Sequence, residues 1–204
     1  MNNARTRVEE FLEQLRGEDE VMRENSAFLL GELGEEALDL TRDTLKNNRM
    51  LGEINPLTIP EVRKRVEEGL IKALFDKDSW VRGNAADALG KLKSNVALEP
   101  LTTCLGDEDR IVRYSACQAL GMIGSKEATT SILSLLKDDH WSVRMSAAEA
   151  LGKIKDPEAI TALKKLKNDE NKDVQVISRE AITTISDVVI NKKTEHEKET
   201  AVKR

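Results

Sequence analysis

Three stretches of the chain align without gaps at a constant step of 31 residues: DSWVRGNAADALGKL from Asp78, DRIVRYSACQALGMI from Asp109 and HWSVRMSAAEALGKI from His140. A fixed step of this length constrains the fold more than any composition does. A unit this small cannot bury its own apolar face, so successive units must stack and share one continuous core. A fourth copy, NKDVQVISREAITTI from Asn171, keeps the step while losing part of the pattern. A fainter one, DEVMRENSAFLLGEL from Asp19, precedes the Asp78 copy by 59 residues.

The matching columns show what each unit is made of. Val81, Val112, Val143 and Val174 form one column, Ala88, Ala119, Ala150 and Ala181 another, and Leu92, Ile123, Ile154 and Ile185 a third. Asp76, Asp107, Asp138 and Asp169 hold in all four copies, whereas Arg82, Arg113 and Arg144 give way to Gln175 in the last. Each unit reads as two helices. The first carries apolar residues at helical spacing, as in Leu98, Leu101, Cys104 and Leu105. The second opens at Asp78, Asp109 or Asn171, whose side chains can accept from free N–H groups at a helix start. Val112, Ala116, Ala119, Leu120 and Ile123 then share one face. Gly90, Gly121 and Gly152 recur inside these helices, where glycine costs about 1 kcal/mol relative to alanine. Their recurrence predicts close backbone contact. Asp156 followed by Pro157 fits a capping residue with proline at the first helical position.

Composition and charge exclude several classes. No run approaches 18 apolar residues, so no membrane span is expected. The N-terminus has no apolar stretch of signal-peptide type, which gives a cytoplasmic expectation. The first 60 residues hold 7 Lys/Arg against 13 Asp/Glu, and residues 61–186 hold 20 of each, so no basic stripe invites nucleic acid.

The pattern D-x-x-V-R-x-x-A-A-x-A-L-G at a 31-residue step resembles the short HEAT-like repeats also called PBS-lyase-type repeats. The resemblance covers residues 61–186 well and 4–46 less closely. It implies an all-α fold, a right-handed α-solenoid of stacked antiparallel helix pairs with about five repeats, one of them irregular. It also implies that the second helix of each pair lines the concave face, and that the Asp and Arg columns form structural ladders between repeats.

The solenoid is expected over residues 1–190. Residues 35–46 read as a helix, and 47–60, with Pro56 and Pro60, as an irregular insert that is either packed on its own repeat or a binding loop. Pro60 is expected to start the next helix at Glu61, and Val188, Val189 and Ile190 to end the last one. Residues 191–204 are charged, lack apolar periodicity, and read as a disordered tail.

Catalytic chemistry finds little support. Cys104 and Cys117 fall in small core columns and read as buried structural thiols. They are 13 residues apart with no C-x-x-C pair, so no zinc site is indicated. His140 stands where other units have a capping Asp, and a cap or turn role is expected. The HEAT-like enzyme deoxyhypusine hydroxylase holds its di-iron centre through repeated His-Glu pairs. The one such pair here is His196-Glu197, in the tail. No enzyme activity, cofactor or metal is expected.

The chain has six aromatic residues, and the core columns do not need them. The resemblance assigns the outward positions of the second helices to the concave surface. Those are Ser79, Trp80, Gly83, Asn84, Asp87 and Lys91 in one unit, Arg110, Ile111, Tyr114, Ser115, Gln118 and Met122 in the next, and Trp141, Ser142, Met145, Ser146, Glu149 and Lys153 in the third. The last unit contributes Lys172, Asp173, Val176, Ile177, Glu180 and Thr184, and the faint first unit Val21, Asn25 and Phe28. Both tryptophans and the tyrosine thus fall at outward positions, either as binding anchors or as covers for the adjacent turn.

The leading expectation is a non-enzymatic scaffold or adaptor that binds a segment of another protein through Trp80, Asn84, Arg110, Ile111, Tyr114, Gln118, Met122, Trp141, Met145 and Glu149. The alternative implied by the family name is an accessory subunit of a cofactor-attachment system of bilin-lyase type, or of another enzyme system. Nucleic-acid binding, as in HEAT-like DNA glycosylases, is disfavoured by the zero net charge of 61–186. A homodimer through the last repeat, at Val176 and Ile177, stays open.

Overall fold

The structure, a computed structural model, describes residues 4–32 and 58–202. The helix expected over 35–46 and most of the insert expected over 47–60 lie outside the described residues. Ten α-helices make up the described chain: α1 Ala4–Gln14, α2 Glu20–Glu32, α3 Thr58–Ala73, α4 Ser79–Lys91, α5 Leu98–Cys104, α6 Arg110–Ile123, α7 Thr129–Ser134, α8 Trp141–Ile154, α9 Ile160–Leu163 and α10 Lys172–Val202. They pair as first and second helices of five repeats. The chain divides into two compact units, Met1–Ala119 and Leu120–Arg204, with the division inside α6.

The second helices form where the repeat predicts. Asp78 Oδ1 accepts from the N–H groups of Trp80 and Val81 at 2.9 and 3.1 Å, and Asp109 Oδ1 accepts from Ile111 at 2.8 Å. Asn171 Oδ1 caps α10 through Asp173 and Val174. His140 Nδ1 accepts from the Ser142 N–H at 3.3 Å, which makes His140 the cap of α8. Asp156 caps a short 3-10 turn, with Pro157 at its first position. The first helices of the last three repeats are short, whereas α1 and α3 run 11 and 16 residues. α7 has six residues and α9 four, each flanked on both sides by 3-10 segments, and α5 follows one. Hydroxyl side chains add bonds to carbonyls within these short helices: Thr102 Oγ1 donates to Leu98 O and Ser134 Oγ to Ser131 O.

Two boundaries differ from the sequence pattern. α3 starts at Thr58, three residues before Glu61. α10 does not stop at Ile190 but continues to Val202, so residues 191–202 are helical where a disordered tail was expected. Apolar periodicity reports packing, whereas helix also follows from intrinsic preference. The Lys/Glu-rich stretch has good helix formers and contains neither glycine nor proline.

In the first unit the core is built from Val8, Leu12, Leu15, Ala27, Leu30, Leu70, Leu74, Val81, Ala85, Leu89, Leu101 and Val112, and in the second from Leu120, Ile132, Val143, Ala147, Leu151, Leu163, Val174 and Ile185. All are buried, each large one contributing about 1.5–3 kcal/mol of transfer free energy. Cys104 and Cys117 lie among them, and burial pushes the Cys104 thiol up to about 11.

Neighbouring repeats meet through two recurring contacts. The first is the Arg–Asp ladder. Arg82 Nε and Nη2 donate to the two carboxylate oxygens of Asp107, both at 2.8 Å, and Arg144 does the same to Asp169 at 2.8 and 2.9 Å. Each of these arginines also uses Nη1 to bond the carbonyl six residues before it, Asp76 O for Arg82 and Asp138 O for Arg144. Each Asp also accepts from the backbone N–H two residues on, which closes the turn. The second contact is glycine on alanine. A Cβ on Gly121 would stand 2.8 Å from Ala150 Cα, and one on Gly152 3.0 Å from Ala181 Cβ.

The same two contacts join the faint first copy to the Asp78 copy. Arg23 grips Asp76 at 2.8 and 3.1 Å, and a Cβ on Gly31 would stand 2.9 Å from Ala88 Cα. The ladder partners here are 53 residues apart, against 25 for Arg82 and Asp107. The repeats are thus direct neighbours in space, with 28 extra residues of chain between them.

Candidate partner-binding faces

In the first unit, the cap at Asp78 fixes the first turn of α4 and leaves Trp80 53% exposed. Asn84 and Asp87 follow along the helix and are half-buried. Burial pushes the Asp87 carboxyl above its ordinary range, opposed by the Ser115 hydroxyl and by Lys91. Arg110 is exposed, and Ile111, Tyr114 and Gln118 are half-buried on α6. Gly83 and Ser115, expected to point outward, are buried instead. A Cβ on Gly83 would lie 3.4 Å from Ile111 Cγ2 and 3.6 Å from Ser115 Oγ, so these positions form the floor between α4 and α6 rather than its surface. On α2, Val21 and Asn25 are exposed, and Phe28 is 49% exposed under the Lys91 ammonium, which sits 5.6 Å from the ring centroid and pairs with Glu32.

In the second unit, Met122, Met145 and Glu149 are half-buried and Trp141 is 40% exposed. The Trp141 ring stacks on His140, centroids 5.9 Å apart at 28°. Ser146, expected outward, is fully buried. It shares a column with Ser115, where the helix face already turns toward the neighbouring helix. Glu149 pairs with Lys153 at 2.8 Å. These two line a cavity of about 300 Å³ between α8 and α10, floored by Gly152, Ala181 and Ile177. Val176 is 41% exposed.

Phe75 and Val96, at 62% and 65% exposed, were not singled out by the repeat reading because both lie in turns outside its matched columns. Among the described residues, no group of three His, Cys, Asp or Glu side chains could hold a metal ion, and no helix is long and apolar enough to cross a membrane.

A search of curated proteins found no match. Among solved structures, the complex of CpcE and CpcF of phycocyanin lyase from Nostoc sp. PCC7120 is similar with a TM-score of 0.69 and 24% identity. That match covers 88% of this chain and 65% of the other, so the chain spans somewhat less than two thirds of it. Kap95p, in a structure of its binding to RanGDP, is similar with a TM-score of 0.61 at 16% identity, covering 88% of this chain and 25% of that one. Human deoxyhypusine hydroxylase is similar with a TM-score of 0.52 at 18% identity, covering 90% and 76%. At these identities the likeness is one of fold. Residues 8–120 and 98–183 match the HEAT repeats family. With that match over most of its length and its all-helical stacked pairs, the chain belongs to the HEAT-repeat family of α-solenoid proteins.

Proposed function

We propose that this chain is a non-enzymatic adaptor that binds a segment of another protein along the outward faces of its second helices. Trp80, Asn84, Arg110, Ile111, Tyr114 and Gln118 would contribute from the first unit, and Met122, Trp141, Met145 and Glu149 from the second. The observation that carries this reading is the exposure of Trp80 and Trp141 in a chain whose cores are built from Ala, Leu, Val and Ile. A large ring left in water gains nothing for the fold, whereas buried against a partner it is the commonest kind of binding anchor. Met122, Met145 and Ile111 supply adaptable apolar wall, and Asn84, Gln118 and Glu149 supply register.

The test is a Trp80→Ala, Tyr114→Ala and Trp141→Ala triple variant, compared with wild type by affinity purification from the native cell and mass spectrometry. Loss of specific co-purifying protein, with helical circular dichroism retained, supports the proposal. An unchanged set of partners sinks it. An accessory role in a lyase system, by contrast, predicts a pigmented product when the chain is co-expressed with bilin, acceptor protein and the remaining lyase subunit.

A further inference from the structure

Within the first unit, the turn between α1 and α2 and the end of α3 surround a cavity of about 730 Å³. Small-molecule sites span about 300–1,000 Å³. Its floor is apolar, formed by Leu12, Leu15, Gly69 and Ala73. That floor is closely fitted, since a Cβ on Gly69 would stand 2.6 Å from Leu12 Cδ2. Around the floor stand Arg16, Lys72 and Lys77. The cavity shares no lining residue with the outward faces proposed above to bind a partner.

The charges there do not cancel. Arg23 and Asp76 also line the cavity, but they neutralise each other in the two bonds that join their repeats. Arg16, Lys72 and Lys77 then face one remaining acid, Glu18, and all four are exposed. Among the described residues, none of the three cationic side chains has an ion-pair or hydrogen-bond partner. Lys64, Lys91 and Lys153 each pair with a glutamate. The whole chain carries a net charge of −5, so this grouping runs against its overall balance.

The repeat shows what is unusual here. The residue after each ladder Asp is Glu108, Asp139 or Glu170 in the later copies, but Lys77 after Asp76. Glu170 Oε1 accepts from Arg144 Nη2 at 3.1 Å, beside the Asp169 oxygens, and Glu108 acts on Arg82 through its charge. Arg23 is 4% exposed, and its Nη2 has a single acceptor among the described residues, Asp76 Oδ1. Its second Nη2 N–H thus lacks the acidic neighbour present at the other joints. A cation beside a buried guanidinium repels it and does nothing for the joint.

We propose that this cavity binds a small organic anion, a phosphate or carboxylate group on a compact apolar body. The anionic group occupies the place of the missing acid, between Arg23 and the ammonium groups of Lys72 and Lys77, with Arg16 closing the rim. The body lies on Leu12, Leu15 and Ala73. This site stands independently of the partner-binding reading.

The test titrates the full chain with 1-naphthyl phosphate, 1-naphthoate and inorganic phosphate, followed by calorimetry and by amide NMR shifts. The comparison is an Arg16→Gln, Lys72→Gln, Lys77→Glu variant, whose fold is checked by circular dichroism. The expected result is binding of a naphthyl anion with shifts centred on residues 12–18 and 69–77, weakened about tenfold or more in the variant. The tighter of the two naphthyl anions identifies the head group. No binding of either at millimolar concentration overturns the site, and so does equal binding by the variant. Inorganic phosphate binding as tightly as naphthyl phosphate overturns the organic anion.

Discussion

Arg82 and Asp107, 25 residues apart, meet in two parallel bonds of 2.8 Å while the same guanidinium holds the carbonyls of Asp76 and Lys77. One side chain thereby closes its own turn and fastens the next repeat to it. Arg82→Met strands a mostly buried carboxylate and is expected to cost about 3–5 kcal/mol, whereas Arg82→Met with Asp107→Asn recovers part of that loss. A double-mutant cycle by urea denaturation should give a coupling above about 1 kcal/mol. The exposed pair Lys64–Glu68, at 3.9 Å, is the control and should give well under about 1. Equal couplings would show that the ladder adds nothing beyond a surface pair.

Gly121→Ala tests the close contact in the second unit. Alanine is the better helix former by about 1 kcal/mol, yet its methyl would meet Ala150 Cα at 2.8 Å. A net loss of about 1–3 kcal/mol is expected from overpacking. Gly106→Ala, where the nearest atom is Thr103 O at 3.6 Å, should change stability little. Calorimetric melting of both variants separates the two cases, and a stabilised Gly121→Ala would refute the contact.

Ser94 and Asp156 occupy equivalent places in their repeats with opposite fates. Asp156 accepts from Thr129 Oγ1 at 3.0 Å, whereas Ser94 Oγ is buried and, among the described residues, lacks a partner. Ser94→Ala is therefore expected to be neutral or to stabilise by up to about 1 kcal/mol, and Thr129→Val to destabilise by about 1–3. Urea midpoints of the two variants should move in different directions.

Acid sensitivity follows from the same contacts. The Arg144 guanidinium holds the Asp169 carboxyl below its ordinary range, and the Ile111 N–H does so for Asp109. Unfolded, both titrate near about 4, so in the window below that value the unfolded chain binds more protons. Their contribution is complete above about pH 4 and is lost as pH falls through the depressed folded values. Asp87 has the opposite sign, because burial raises its carboxyl and its charge weakens the fold at neutral pH. Denaturation midpoints measured from neutral to strongly acid pH should show a flatter acid limb for Asp169→Asn. Asp87→Asn should gain most at neutral pH.

Trp80→Ala and Leu89→Ala remove two side chains of the same helix, α4. Trp80 is 53% exposed and Leu89 fully buried. The leucine change is expected to cost about 2–5 kcal/mol and the tryptophan change under about 1. Chemical denaturation distinguishes them. A Trp80 cost in the core range would mean the ring serves the fold and not a partner.

The repeat step carried most of the fold, because Val, Ala, Leu and Asp columns each answer to one packing need that recurs every 31 residues. The cap at His140 was legible for the same reason. Gly83, Ser115 and Ser146 were misplaced to the surface because a helical wheel does not say how closely the next helix approaches, and small residues are what permit that approach. The continuation of α10 past Ile190 escaped notice because it rests on intrinsic helix preference, not on apolar spacing. Exposure of Trp80 and Trp141 followed from their position outside the core columns, while Phe75 and Val96 lay in turns that no column describes.

The joint at Arg23 and Asp76 repeats the geometry of the others across 53 residues instead of 25. Its contacts must therefore close a loop about twice as long, and each doubling costs only about 0.6 kcal/mol of chain entropy. The equilibrium penalty is small, but the kinetic one is directional, since pairings distant along the chain form after local ones. The joint between the α1–α2 pair and the next repeat is therefore expected to close later than joints between repeats that adjoin in sequence.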